Sequence, residues 1–128
     1  MTDVEFPAMR DEVQTALRSL SDVVHQQTKW GKHEAGVNYY DDLTLNIHIL
    51  YDDCRVLPHP EVAVPAVLRS SETPAFLTLE SVLGPLLDEL RDRPDHEYPL
   101  DARWPAVVQA AADALRVMES SKNDMVPQ

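Results

Sequence analysis

His48 and Asp52 are the two side chains whose types and spacing come closest to a metal site. They lie four residues apart, so on a helix they would share one face, and imidazole nitrogens and carboxylate oxygens both bind zinc. Asp41 precedes Asp52 by 11 residues, about 16 Å along a helix, so these two carboxylates cannot hold one ion. The sequence contains no HExxH, CxxC or EF-hand spacing. We expect no metal site and no cofactor; a metal-dependent enzyme using His48 and Asp52 is the alternative hypothesis.

Cys54 is the only cysteine and therefore the only candidate thiol nucleophile. A reactive cysteine needs a lowered thiol pKa, whereas the neighbouring Asp52 and Asp53 would raise it by repelling the thiolate. A cysteine on the apolar side of a helix is more often a small core residue. No GxSxG, P-loop or GxGxxG motif is present. We therefore predict no catalytic residue and a protein that is not an enzyme.

The stretch from Tyr39 to Cys54 must position these residues. It is largely apolar, with an aspartate pair near each end and one Asn and one His inside it. Its apolar residues alternate with polar ones, as in a strand, at Leu43, Leu45, Ile47 and Ile49. On a helical wheel, most of its apolar residues fall within about 100° of one another: Tyr40, Leu43, Ile47, Leu50, Tyr51 and Cys54. Leu45 and Ile49 form a second stripe opposite. We predict a central helix at about 40–51 that packs on two sides, with a strand over 43–49 as the alternative.

Apolar periodicity and proline positions predict the other helices. The first runs from Pro7 to Leu20, and a weaker one follows from Ser21 to about Lys32. The cleanest apolar stripe begins after Thr73, where Pro74 suits the first helical position. The last helix follows Asp101, with a predicted buried stripe of Val108, Ala111, Leu115 and Met118. The sequence therefore predicts an all-α fold, a compact bundle of four or five helices in a single domain over 1–119, and a disordered tail over 120–128.

The charge balance excludes several kinds of partner. Twenty-two acidic residues against 11 Lys and Arg leave a net charge of −11, which repels nucleic-acid backbones and anionic membranes. No apolar run approaches the roughly 20 residues that span a bilayer. The acidic N-terminal residues do not resemble a signal peptide, and one cysteine excludes an intramolecular disulfide. We expect a cytoplasmic protein that binds neither nucleic acid nor membrane.

Acidic and aromatic residues concentrate around the central stretch, which indicates a protein-binding surface. Residues 34–53 contain five acidic residues and no Lys or Arg, and residues 88–101 contain six acidic residues and two arginines. Asp52 and Asp53 would be unfavourable at a helix C-terminus, which suggests another role for them. The predicted partner-binding residues are Tyr39, Asp41, Asp42, His48, Tyr51, Asp52 and Asp53. We expect a basic protein partner. A structural or oligomer-forming role is a further alternative. The aromatic residues could instead fill the core, namely Trp30, Trp104 and the tyrosines.

The central motif resembles a family of uncharacterised small acidic proteins of actinomycete bacteria. The matching segments are Tyr39–Thr44, Asn46–His48, Leu50–Asp53, Leu57–Pro60 and Asp101–Val108. His59 stands where that family has an aspartate in its Leu-Pro-Asp-Pro turn. This resemblance implies no known activity. More loosely, an apolar helix that ends in Leu-Tyr-Asp-Asp before a leucine-rich helix is similar to small helical immunity proteins, which neutralise bacterial toxins.

Overall fold

Four α-helices and no strand are found in the residues that the computed structural model describes, which are 4–23, 26, 43–90 and 95–124. Helix α1 is Pro7–Leu20, α2 is Leu43–Ile47, α3 is Thr73–Leu90 and α4 is Trp104–Asp124. Short 3-10 helices cover Pro60–Ala63, Ser70–Glu72 and Asp95–Leu100. The predicted all-α bundle is therefore confirmed. Of the second predicted helix, from Ser21 to about Lys32, the structure describes only residues 21–23 and 26.

Helix α2 continues directly into a π-helix at His48–Asp53, and we call the two together the central helix. The helical prediction for residues 43–49 is correct, and the strand alternative is wrong. The expected burial on two sides is only partly correct, because Ile49 is buried whereas the side chain of Leu45 is 40% exposed. Leu45 lies in the α-helical segment Leu43–Ile47, before the π-helix begins, so the change of helix type does not account for its exposure.

Two residues after the end of the central helix at Asp53, the backbone of Arg55 lies in the left-handed region with φ 53°. The backbone N–H of Val56 donates to the carbonyl of Leu50 at 2.9 Å, and the side chain of Val56 is buried. This arrangement is that of a helix end with a left-handed residue followed by an apolar contact, a position where glycine is usual. For an arginine, this left-handed backbone conformation is less favourable than the right-handed one by about 1–2 kcal/mol.

Helix α4 differs from its prediction in two respects. Its buried residues are Trp104, Val107, Ala110, Ala111, Ala114 and Met118, whereas Val108 and Leu115 are only half-buried. The helix also continues to Asp124, past the predicted boundary at residue 119. Once a long helix is nucleated, each further residue adds a backbone hydrogen bond at little extra cost. The polar composition of residues 120–124 contains no apolar periodicity from which this extension could be predicted.

A buried polar network joins the end of α1 to the central helix and α4. The side-chain amide of Gln26 donates to the carbonyls of Ser19 and Leu20 at 2.9 and 2.8 Å, and its oxygen accepts from the indole N–H of Trp104 at 2.8 Å. Asn46 donates to the hydroxyl of Ser19 at 3.0 Å. Asn46, a polar residue inside the apolar central stretch, therefore has a structural partner, and Trp104 belongs to the core.

The most deeply buried charged contact among the described residues is the ion pair between Arg10 on α1 and Glu72, the last residue before α3. Arg10 Nη1 donates to Glu72 Oε1 at 2.8 Å and to the carbonyl of Val67 at 3.1 Å, and Nη2 bonds to Glu72 Oε2 and, at 3.2 Å, to the carbonyl of Met118 on α4. Glu72 also accepts the backbone N–H of Arg69 at 2.8 Å. One guanidinium thus fixes α1, the start of α3 and the later part of α4 against one another.

Breaking this pair should destabilise the protein strongly, because the remaining charge would be buried without its partner. We expect Arg10→Met and Glu72→Gln each to lower the free energy of unfolding by about 3–5 kcal/mol, measured by urea unfolding. The double variant Arg10→Met/Glu72→Met should cost less than the sum of the single variants, since neither charge remains.

Arg116→Met is the matched control for this prediction. It removes an arginine from an exposed pair with Asp113, in which the Arg116 side chain is 67% exposed, and should cost less than about 0.5 kcal/mol. A cost for Arg10→Met as small as that of the control would contradict the role assigned to the buried pair.

Candidate functional site

The structure describes four of the seven predicted partner-binding residues. His48, Asp52 and Asp53 are exposed on the π-helix, and Tyr51 on the same helix is half-buried. Tyr39, Asp41 and Asp42 lie outside the described residues. The π-helix therefore presents its titratable side chains to solvent beside a tyrosine that faces α3.

His48 and Asp52 contact each other, as their spacing predicts. The Nδ1 of His48 lies 2.6 Å from Oδ2 of Asp52, and both side chains are well exposed. Within the described part of the chain, no group of three or more His, Cys, Asp or Glu residues could hold a metal ion. The alternative hypothesis, a metal-dependent enzyme, therefore rests on two possible metal ligands in this part of the chain, His48 and Asp52, and these two side chains contact each other.

Tyr51 connects the central helix to α3 through its hydroxyl. This O–H donates to Oε1 of Glu80 at 2.5 Å. Burial of the phenol raises the pKa of Tyr51 above its usual range, and the hydrogen bond to Glu80 and the negative charges of Glu80 and Asp88 raise it further. The phenol consequently stays neutral and remains a hydrogen-bond donor to Glu80.

A shallow pocket of about 290 Å³ lies beside this contact, and we call it the groove. It is lined by Ile47, Tyr51, Pro58, Glu80, Gly84, Leu87 and Asp88. The lining is mainly apolar, and its charged members are both carboxylates, with no Lys or Arg among the lining residues of the described structure. We call the groove together with the exposed His48, Asp52 and Asp53 the acidic face.

Gly84 has a specific relation to the Glu80 carboxylate one helical turn before it. A Cβ atom built at Gly84 would lie 2.3 Å from Oε2 of Glu80, closer than any real contact. Glycine in a helix interior is less favourable than alanine by about 1 kcal/mol, so its presence needs a local reason. The missing side chain leaves room for Glu80 to turn across α3 toward Tyr51. Sequence analysis missed both residues, although a lone glycine within a leucine-rich helix was the available signal.

Cys54 is buried at the end of the central helix and packs on α1. Its sulfur lies 3.5 Å from the carbonyl of Met9 and 4.0 Å from Oε2 of Glu12. Burial, followed by the charges of Glu12 and Asp53, raises the pKa of the Cys54 thiol to about 11. The predicted direction of this effect is confirmed, and burial is its largest cause.

The second predicted acidic surface, residues 88–101, is partly neutralised within the chain. Arg103 donates to Glu89 at 2.5 Å and to both carboxylate oxygens of Asp101 at 2.9 and 3.0 Å. These hydrogen bonds from Arg103 lower the pKa of Asp101 to about 2. A smaller pocket of about 220 Å³ lies nearby, beside the 79% exposed Leu100. Two carboxylates of this region, Glu89 and Asp101, are thus bonded to an arginine of the same chain.

Comparison with known proteins gives one family match. The family model described as Domain of unknown function (DUF7945) matches residues 4–125, which confirms the expectation of an uncharacterised family. No curated protein and no solved structure matches the chain. None of the helices in the described structure is both long enough and apolar enough to traverse a lipid bilayer.

The raised pKa of Cys54 predicts an unreactive thiol. At pH 8 a thiol with a pKa of about 11 has on the order of 100-fold less thiolate than an ordinary cysteine, so alkylation by iodoacetamide should be at least 100-fold slower than for a model thiol. The same protein unfolded in urea should react at the ordinary rate. A folded protein that reacts as fast as the unfolded one would contradict the burial of this thiol.

The Tyr51–Glu80 contact predicts a tyrosine that resists ionisation. Replacing Glu80 by Gln removes a negative charge and a strong acceptor, so the pKa of Tyr51 should fall toward its usual value. Titration of tyrosine side-chain carbon signals by NMR, assigned with a Tyr51→Phe variant, measures this change. Glu119→Gln, an identical substitution at an exposed position, should leave the Tyr51 titration unchanged, and an equal effect of both substitutions would refute the contact.

Proposed function

This chain belongs to the family described as Domain of unknown function (DUF7945), and we propose that it is a non-enzymatic module that binds a basic protein through its acidic face. The observation that carries this proposal is the composition of that face. The groove has a mainly apolar lining with two carboxylates of α3, Glu80 and Asp88, and no lysine or arginine among the described residues that line it. Such a surface attracts cationic groups and offers apolar area for them to pack against.

The net charge supports the same kind of partner. At −11 the chain produces a negative potential that accelerates encounter with a basic protein and disfavours acidic ones. The acidic face differs from the region around Arg103, where Glu89 and Asp101 already bond to an arginine of the same chain. We therefore assign the partner to the acidic face and not to the second acidic surface.

The proposal includes a setting and a mode of action. We propose a bacterial, cytoplasmic protein that masks a basic surface of its partner, in the manner of the small immunity proteins that its central motif resembles. The predicted residues Tyr39, Asp41 and Asp42 precede the central helix in sequence, and we include them in the binding surface. The described part of this surface is the acidic face, which consists of the groove and the exposed His48, Asp52 and Asp53.

Quantitative affinity capture from an extract of the source bacterium tests this proposal. Wild-type protein should recover one dominant basic protein, and recovery should fall as salt rises from 0.1 to 1 M because the Debye length shrinks from about 10 to about 3 Å. The variant Asp52→Asn/Asp53→Asn should reduce recovery at least about 10-fold, which corresponds to the loss of roughly 1.4 kcal/mol.

The matched control is Glu61→Gln/Glu119→Gln, which makes the same chemical change at two exposed positions outside the groove lining. Both double variants raise the net charge from −11 to −9, since each replaces two carboxylates. Equal losses in the two variants would show that only net charge matters. That outcome, or the absence of any basic protein at every ionic strength, would refute the proposed surface.

A further inference from the structure

The groove contains a carboxylate, that of Glu80, which one hydrogen bond orients and for which Gly84 leaves space. Oε1 of Glu80 accepts the hydroxyl of Tyr51 at 2.5 Å, and Oε2 lies over Gly84, where a Cβ would collide with it. A carboxylate has about four lone-pair sites, and the hydroxyl of Tyr51 occupies one of them. Glu80 is therefore oriented by the fold and retains acceptor capacity for a further donor.

The size of the groove decides what kind of group it can take. At about 290 Å³ it lies just below the roughly 300–1,000 Å³ of sites for small molecules and cofactors, and it is shallow. Ile47 and Leu87 provide apolar contact area, and Glu80 and Asp88 provide negative charge. An apolar surface that borders a carboxylate matches a long side chain with an aliphatic stem and a cationic head.

The charges beside Tyr51 favour a cation over a neutral group. The negative charges of both Glu80 and Asp88 act on the Tyr51 hydroxyl, which places this hydroxyl within the field of two carboxylates. Arginine suits this setting better than lysine, because its planar guanidinium has five donors and can both bond to a carboxylate and stack on an aromatic ring.

We propose that the groove binds one arginine side chain of the basic partner, with its stem on Ile47 and Leu87 and its guanidinium on Glu80. This inference rests on the proposed function and specifies one contact of the partner. In it Gly84 is a positioning residue, since its missing Cβ leaves the Glu80 carboxylate where the guanidinium meets it. Asp88 adds negative charge, so that replacing it by Asn should weaken binding less than replacing Glu80.

Two peptides of nearly equal size test the proposal directly. The probe is acetyl-Gly-Arg-Gly-amide, and its control contains citrulline, a neutral analogue of arginine, at the central position. In an NMR titration of the full chain, the arginine peptide should shift the backbone amides of Ile47, Gly84 and Leu87 in a saturable manner. The citrulline peptide should bind at least about 10-fold more weakly, because charge-assisted hydrogen bonds are roughly twice as strong as neutral ones.

Three variants separate the role of Glu80 from general effects. Glu80→Gln should weaken the arginine peptide about 10-fold, and Glu119→Gln should have no effect. Gly84→Ala should keep the protein folded, since alanine favours a helix interior. It should nevertheless weaken peptide binding and lower the pKa of Tyr51, because its Cβ displaces the Glu80 carboxylate. A merely structural role for Gly84 would leave both the peptide affinity and the Tyr51 titration unchanged.

The proposal is overturned if the citrulline peptide binds equally well, if the shifts fall outside the groove, or if Glu80→Gln binds like the wild type. This failure is distinguishable from that of the proposed function. Loss of partner capture on Asp52→Asn/Asp53→Asn without any arginine binding at the groove would refute only the present inference. Specific binding of the arginine peptide in a protein that captures no basic partner would support the groove as an arginine site and refute the proposed function.

Discussion

The buried ion pair of Arg10 and Glu72 is the constraint on which the rest of this structure depends. Two charges are removed from water here, which is tolerated only where hydrogen bonds replace the lost hydration. Arg10 also donates to carbonyls of Val67 and Met118, so the pair brings α1, the approach to α3 and the later part of α4 to one point. Helix α3 starts directly after Glu72, so the ion pair connects the first turn of α3 to α1.

Both walls of the groove are connected to α1, each by a different contact. The α3 wall follows from the pair of Arg10 and Glu72, and the wall of the central helix is held on α1 by the contact of Cys54 with Met9. The hydroxyl of Tyr51 on the central helix then donates a hydrogen bond to Glu80 on α3, which joins the two walls. The acidic face is thus formed by two helices of fixed relative position, which favours recognition of a partner with little rearrangement. This explains why carboxylates far apart in sequence can act together, whereas Glu89 and Asp101 are engaged by Arg103.

The sequence predicts the helices well because apolar periodicity is local and strong. It also predicts the contact of His48 with Asp52, since a spacing of four residues is a property of one helix. It does not predict the partner of Arg10, because a charged residue on a helix resembles a surface residue until its neighbour 62 positions away is known. The same holds for Tyr51 and Glu80, 29 residues apart. The π-helix was missed because periodicity analysis assumes regular α-helical turns. Leu45 was assigned to the core because it is apolar and shares a stripe with Ile49, although only Ile49 is buried.

Hydrogen–deuterium exchange of the protein, alone and with its captured basic partner, tests the central claim most directly. Amide exchange reports which backbone segments become protected when a surface is covered. The account predicts added protection over residues 47–58 and 80–88, the two segments that form the acidic face, and no change over residues 101–116. Protection confined to residues 97–116, with residues 47–58 and 80–88 unchanged, would contradict the assignment of the partner to the acidic face.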